Sequence, residues 1–316
     1  MTPERERIGP VRPRPPIGAS FGGRAHSHGT ASDVRDQESA CVRSIAGLSA
    51  DDHVQFEDEG WDSRVYVVNR GEVVFKFPRT ASAQGAYANE IAIMRLLDGG
   101  DDRVRVPVVQ WVGPDLSYFG YRGIVGHQLG RVMESVSHTD RARIGSDLGA
   151  FLAGLHALVL PNVRVVTVED EIEEFVRKFA SARTAIEDEF TATERSGLDH
   201  FFGARLPGTM RALGGEPVTC HGDLGAYNVM VGDDGRVGMI DFGDLGIIDK
   251  SKDFIGFEDP AMLSAALDAH GASEQLREKV AIRALALPAL DLPFYLGKGD
   301  AAGVAHCIDR LRAIVI

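Results

Sequence analysis

Residues Thr219–Asp244 read T-C-H-G-D-L-G-A-Y-N-V-M-V-G-D-D-G-R-V-G-M-I-D-F-G-D, and this stretch restricts the fold more tightly than any other part of the chain. Two short apolar runs, Asn228–Val231 and Val237–Ile240, flank Gly232-Asp233-Asp234-Gly235, a strong hairpin-turn signal. Closing that hairpin folds Asp241 back beside Asp223 and Asn228, so two carboxylates and an amide oxygen converge at one end of a ribbon. Hard oxygen donors of this kind suit Mg²⁺, and a carboxylate left free of metal can orient a hydroxyl nucleophile. The set serves phosphoryl transfer, where positioning and charge neutralisation supply most of the rate. Alone, a D-G hairpin with an aspartate at each base is common surface architecture, and His221 reads as structural. The weight of the motif depends on what lies upstream.

A chain of 316 residues can bury a large core and is expected to form two lobes. No apolar run approaches the roughly 20 residues of a membrane span, and the Arg- and Pro-rich start lacks the apolar core of a secretory signal. No membrane partner is therefore expected. Cys41, Cys220 and Cys307 are scattered without a C-x-x-C, which argues against a disulfide scaffold or zinc site and fits a reducing cytoplasm. Cys220 reads as a buried strand-end thiol, not a nucleophile. The formal charge of −12 disfavours nucleic acid and favours a cationic small molecule as partner. The chain is expected to act as a monomer.

Residues 1–45 are rich in Pro, Gly, Arg and Ser without apolar periodicity, the composition of a disordered leader. Val54–Glu57, Arg64–Val68 and Val73–Phe77 then read as strands, with Asn69-Arg70-Gly71 as a hairpin turn between the second and third. The Gly60–Ser63 loop can cover phosphates through backbone N–H groups if the fold places it there. Lys76 sits among strand apolars, where a lysine either snorkels to the surface or meets an anion. A helix over Ala83–Leu97 carries Glu90, which can pair with Lys76 or stand on a solvated face. Val106–Trp111 and Tyr118–Val125 add two strands, giving a small mixed lobe over residues 46–126 of five strands and one helix.

Residues 127–316 form a larger, mainly helical lobe. Ser137 and Asp140 make a capping box before a helix with Ile144, Leu148, Phe151, Leu152 and Leu155 inward. His156 on that face reads as a satisfied core histidine. Asp170–Glu189 reads as a charged amphipathic helix, and helices follow near Pro260–Ala269, Ser273–Leu287 and Ala301–Ile314.

The order Lys76, Glu90, H-G-D-L-x-x-x-N and I-D-F-G-D resembles the aminoglycoside phosphotransferases, relatives of the protein kinases. Within them the likeness is greatest to the branch that phosphorylates the 2''-hydroxyl. It rests on V-V-N-R-G-E-V-V-F-K-F-P at residues 67–78, G-Y-R-G-I-V-G at 120–126 and I-D-F-G-D-L-G-I-I-D-K-S-K-D-F at 240–254. The resemblance runs from Val54 to the C-terminus and implies an α+β, bilobal kinase-like fold with the nucleotide between the lobes. It implies Asp223 as the catalytic base, Asn228 and Asp241 as Mg²⁺ ligands, and Lys76 with Glu90 as the phosphate-contacting pair. Arg122–Ile124 match the hinge that binds the base through backbone groups, with Tyr121 just before it and Ser63 in the nucleotide loop. Asp249 precedes Lys250 where the family often shows Asp-Pro, so Asp249 and Asp253 read as structural. Glu258 and Asp259 are the candidates for binding ammonium groups of the acceptor, though acidic residues also favour a helix N-terminus.

The activity that follows is transfer of the γ-phosphate of ATP or GTP to an aminoglycoside hydroxyl, conferring resistance. The alternatives are a macrolide kinase or a choline- or sugar-type kinase of the same fold, and a catalytically inactive binding module.

Overall fold

Val, Tyr and Phe crowd residues 54–78, and such side chains fit a pleated, half-buried surface. In the computed structural model, which describes residues 31–58 and 62–315, they form β1 (54–57), β2 (Ser63–Val68) and β3 (Val73–Pro78) beyond a first helix, α1 (Ala31–Ala46). Between β2 and β3, Asn69 and Arg70 take positive φ of 47° and 62°, the left-handed pair that a tight hairpin needs. There follow α2 (Ala81–Leu97), started by the Thr80 hydroxyl accepting the Ala83 N–H, then β4 (Val104–Arg105), β5 (Val108–Val112) and β6 (Phe119–Arg122). The five-stranded sheet has the order β1-β2-β3-β6-β5, and each neighbouring pair is antiparallel. This is the expected small lobe.

The leader expectation needs correction for residues 31–45; residues 1–30 lie outside the described residues. Helix α1 lays Cys41, Val42 and Ile45 against β1–β3, with Val42 fully buried. Glu38 accepts a forked pair of bonds from Arg64 and one from the Tyr66 hydroxyl at 2.9 Å. Few apolar residues mark this helix, so its polar composition hid a thin apolar stripe flanked by the half-buried Glu38–Arg64 pair.

The larger lobe begins with β7 (Gly126–Gln128) and a short α3 (Leu129–Val132), followed by α4 (His138–His156), β8 (Arg164–Val165), α5 (Val168–Ile186), α6 (Ala192–His200) and α7 (Leu206–Leu213). Thr167 and Thr191 complete capping boxes with Asp170 and Glu194 at the starts of α5 and α6. Next come β9 (Pro217–Cys220), the predicted hairpin β10 (Val229–Gly232) and β11 (Val237–Met239), then β12 (Gly246–Asp249), α8 (Pro260–His270), α9 (Glu274–Lys298) and α10 (Ala301–Arg312). The hairpin is the middle of a four-stranded sheet, β4-β11-β10-β7. One of its outer strands comes from the small-lobe segment and the other follows the hinge.

Helices α4 and α8 lie in unusually close contact. A Cβ on Gly145 would sit 2.2 Å from the Met262 carbonyl oxygen, and one on Gly149 would sit 2.0 Å from that of Ala266. Only glycine permits this approach, which brings the C-terminal ends of both helices together. Helix α9 runs past the expected end at Leu287, through Pro288 and Pro293. Proline at 288 removes the N–H that would bond the Ala284 carbonyl, and Arg310 Nη2 of α10 donates to that oxygen instead at 3.2 Å. Helix α9 is long and apolar enough to cross a membrane by length and composition, but its apolar side packs with α5, α6, α7 and α10 in the large-lobe core.

Candidate active site

The loop after β9 is held from beneath. Asp253, fully buried, accepts the backbone N–H of His221 and of Gly222, both at 2.9 Å, and the His156 Nε2–H at 3.0 Å. Burial alone would raise the Asp253 carboxyl, but the hydrogen bond from His156, the neighbouring His156 and His221 rings and the Gly222 N–H outweigh it and hold it below the usual range. Gly222 has φ +89°, and a Cβ there would meet the Asp244 carbonyl oxygen at 2.3 Å, so the turn that presents Asp223 requires glycine. His221 is structural, as read from sequence: its Nε2–H donates to the Ile240 carbonyl at 2.9 Å, and its Nδ1 accepts the Asp223 N–H at 3.3 Å. This one ring ties the Asp223 turn to the residue before Asp241. Cys220 is buried with its thiol pushed well up by burial, which removes it as a nucleophile.

Asp223 stands exposed at the mouth of the cleft, yet its carboxyl is raised, first by desolvation and then by the Asp244 charge; His221 and Lys252 oppose the rise. A raised carboxylate is a better proton acceptor than an ordinary one. Asn228 Nδ2 donates to the Asp223 carbonyl at 2.7 Å and to its Oδ2 at 3.1 Å, so the amide oxygen is the end of Asn228 that remains for a cation. Asp241 adopts left-handed backbone geometry, φ 65° and ψ 72°, an uncommon conformation that aspartate tolerates better than most residues. The Ile240 N–H, donating to the Asn228 carbonyl at 3.0 Å, locks the two hairpin ends together. Oxygen donors of Asn228 and Asp241 beside a free carboxylate are the donor chemistry of Mg²⁺.

Lys76 Nζ lies 2.6 Å from Glu90 Oε1 and 2.8 Å from Asp241 Oδ1. Burial works against the Lys76 charge, but Asp241 and Glu90 overcome it and hold the ammonium well above its ordinary range. The Lys76 charge in turn depresses the Asp241 carboxyl, whose side chain stays half-exposed. Strand β3, helix α2 and the hairpin thus deliver one fixed cation to the cleft, and Glu90 proves to be a buried partner and not a solvated helix residue.

The other residues expected to meet the nucleotide differ in their surroundings. Arg122 is exposed while its backbone pairs with Val73 and Val108. Gly123 N–H donates to the Glu72 carbonyl at 3.1 Å, and Ile124 is buried against Gly238 of the hairpin. Tyr121 is buried close enough to Lys76, Glu90 and Asp241 to feel their charges. Ser63, expected in the nucleotide loop, needs correction: its hydroxyl is buried and hydrogen-bonded to the Tyr87 hydroxyl at 2.8 Å, so it serves the lobe interior and not a ligand. The tip of that loop, Glu59-Gly60-Trp61, lies outside the described residues.

On the acceptor side, Asp259 also needs correction. It caps α8, accepting the Met262 N–H at 2.9 Å, and pairs with Arg141 at 2.9 Å, which leaves it committed to the fold. Glu258 is exposed and paired with Arg310 at 2.6 Å. A carboxylate that sequence reading passed over joins it: Asp291 of α9, pushed up to about 6 by burial, with Arg310 opposing and Glu258 and Asp223 adding to the rise. Asp291 thus lies within electrostatic reach of Asp223 and Glu258. Only the course of α9 past Pro288 brings Asp291 there, and no local pattern announces that. Asp249 and Asp253 are structural as predicted. Asp249 binds Lys279 Nζ at 3.1 Å, the Ser251 hydroxyl at 2.6 Å and the Glu216 N–H at 2.8 Å.

Residues 53–288 match the family model described as the phosphotransferase enzyme family. Among solved structures, the GDP and kanamycin complex of APH(2")-IIia is 20% identical, with a TM-score of 0.67 over 88% of this chain and 98% of its own. The macrolide 2'-phosphotransferase MphH from Brachybacterium faecium is 19% identical, with a TM-score of 0.59 over 87% and 98%. Spectinomycin phosphotransferase APH(9)-Ia, in complex with ADP and spectinomycin, is 13% identical, with a TM-score of 0.57 over 88% and 97%. At these identities the likeness establishes a shared kinase-like fold.

Proposed function

The chain belongs to the phosphotransferase enzyme family, and from that premise we propose that it moves the γ-phosphate of ATP or GTP to a hydroxyl of an aminoglycoside, as a cytoplasmic resistance enzyme. What supports the acceptor class is the acidic acceptor side: Glu258 is exposed, and Asp291 lies within electrostatic reach of it and of Asp223. Carboxylates near the base suit a polyamine sugar better than a mostly apolar macrolide or a neutral sugar.

In this reading the base of the nucleotide meets the hinge at Arg122–Ile124, and Lys76, aimed by Glu90, contacts the phosphates. Asn228 and Asp241 would hold Mg²⁺, which supplies charge neutralisation at the phosphate oxygens. Asp223 orients the acceptor hydroxyl and takes its proton. The hydroxyl oxygen forms the new bond to the γ-phosphorus, and the bond to the bridging oxygen breaks with its electrons leaving on the nucleoside diphosphate.

The test is nucleotide consumption by purified protein with kanamycin, gentamicin, a macrolide, choline, and no acceptor, each with ATP and GTP and with Mg²⁺ present or chelated. Turnover should be stimulated by the aminoglycosides and abolished by chelation. Stimulation by the macrolide or choline alone would overturn the acceptor assignment, and no turnover with any acceptor would favour an inactive binding module.

A further inference from the structure

Behind the catalytic loop, and apart from any group that meets substrate, His156 and His270 stack edge to face with ring centroids 5.0 Å apart. His156 Nε2 is 3.0 Å from Asp253 Oδ2, and His156 Nδ1 is 2.9 Å from His270 Nε2. His270 Nδ1 is buried and, among the described residues, has no hydrogen-bond partner. Each such buried polar atom in a native fold calls for a reason.

The cluster could be read as a metal site, since ligand atoms of His156, Cys220 and Asp253 all lie within 4.8 Å of one another. Hydrogen bonding argues against it. Asp253 Oδ1 already accepts the Gly222 N–H, and Oδ2 accepts both the His221 N–H and the His156 ring. The Cys220 thiol donates to the Ile248 carbonyl at 3.5 Å. A cation there would have to dismantle the support of the catalytic loop.

The protons can instead be placed by elimination. Asp253 is a carboxylate and only accepts, so His156 Nε2 carries hydrogen. In a neutral ring its Nδ1 is then a lone pair, and only a donor can sit 2.9 Å away. That donor is His270 Nε2–H. His270 Nδ1 is left as a bare lone pair, and this is the atom without a partner. The opposite tautomer would bury an unpaired N–H and set two lone pairs against each other, and buried orphan N–H groups are rarer than under-satisfied acceptors. A doubly protonated His156 would likewise require the orphan N–H on His270. Lys250, Glu216, Asp253 and His156 face the His270 ring, and burial with His156 beside it holds His270 down to about 4, so the ring is neutral near pH 7.

We propose that His270 is a positioning residue: its Nε2–H fixes the His156 tautomer that supports Asp253, and Asp253 holds the His221 and Gly222 amides that set Asp223. The relay begins at the last residue of α8, crosses to the last residue of α4 and ends on the backbone of the catalytic loop. It makes the α4–α8 contact part of the catalytic geometry.

Nitrogen-15 and proton correlation spectra of the imidazoles in the full chain at pH 7 should show both His156 and His270 protonated at Nε2 and bare at Nδ1. An Nδ1–H tautomer at His270 would overturn the proposal in the wild-type protein, with no variant needed. With the acceptor that supports turnover, His270→Leu should lower kcat about tenfold while KM for the nucleotide stays unchanged, because the loop and not the nucleotide site is disturbed. His270→Gln, whose amide can donate from a similar position, should recover most of the loss. Wild-type kcat in the Leu variant, or a Gln variant no better than Leu, would refute it. The kinetic arm rests on the phosphotransferase reading and the spectrum does not, so failure of one is distinguishable from failure of the other.

Discussion

Asp253→Asn isolates the support of the catalytic loop with the least change in shape. The native carboxylate receives three N–H groups at 2.9–3.0 Å and is fully buried. An asparagine keeps one accepting oxygen. With that oxygen toward His221 and His156, its NH₂ faces the Gly222 N–H, donor against donor. The change removes one charge-assisted bond, worth about 1.5–3 kcal/mol, and leaves at least one buried N–H unsatisfied at about 1–3 kcal/mol, so about 2.5–6 kcal/mol of stability should be lost. Urea unfolding at pH 6 measures the gap. The pH dependence follows from the depressed Asp253 carboxyl. Its stabilisation is complete above the unfolded pKa of about 4 and is lost as pH falls through the lower folded value, so the gap should hold to about pH 4 and close below it. A gap under about 1 kcal/mol at pH 6, together with wild-type kcat, would show that Asp253 does not hold the loop.

Three other changes probe separate parts of the site. Asp223→Ala should cost about a thousandfold or more in kcat while leaving nucleotide affinity, read by calorimetry, near wild type; retained turnover would remove Asp223 as the base. Gly149→Ala places a Cβ against the Ala266 carbonyl and should destabilise by about 1–3 kcal/mol in thermal unfolding, with an unchanged melting temperature speaking against the close helix contact. Asp291 is anionic only above its raised pKa of about 6, so KM for a cationic acceptor should climb as pH drops through that value. Asp291→Asn should give a high KM without that climb, and an identical pH profile in the variant would sink the assignment.

The chemistry of the site was legible because it is local. The Asp223–Asn228 spacing, the hairpin turn and Asp241 sit within one stretch, and Lys76 stands out as a lysine in an apolar strand. Features that depend on distant chain segments were harder to read. Asp291 comes within electrostatic reach of Asp223 because α9 continues past Pro288, where Arg310 satisfies the carbonyl that the proline frees. Helix α1 was taken for leader because its apolar stripe is thin and its docking depends on Glu38 meeting Arg64 and Tyr66. Ser63 and Asp259 carried the right residue types for ligand contacts, but Tyr87 and the start of α8 already occupy them.

The sheet β4-β11-β10-β7 bears on how such a molecule can open and shut. Its central hairpin carries Asn228 and Asp241 at its ends, and it is flanked by a strand from the small-lobe segment and by the strand that leaves the hinge. Rocking one lobe against the other must either pivot close to this ribbon or tear its ladder bonds on one side. On such a rocking motion the hairpin would act as an axle and not cargo: its ladder would keep Asn228 and Asp241 at a fixed separation, while Lys76, on β3 outside this sheet, would change its distance to Asp241. Closure would then be sensed first at the lysine.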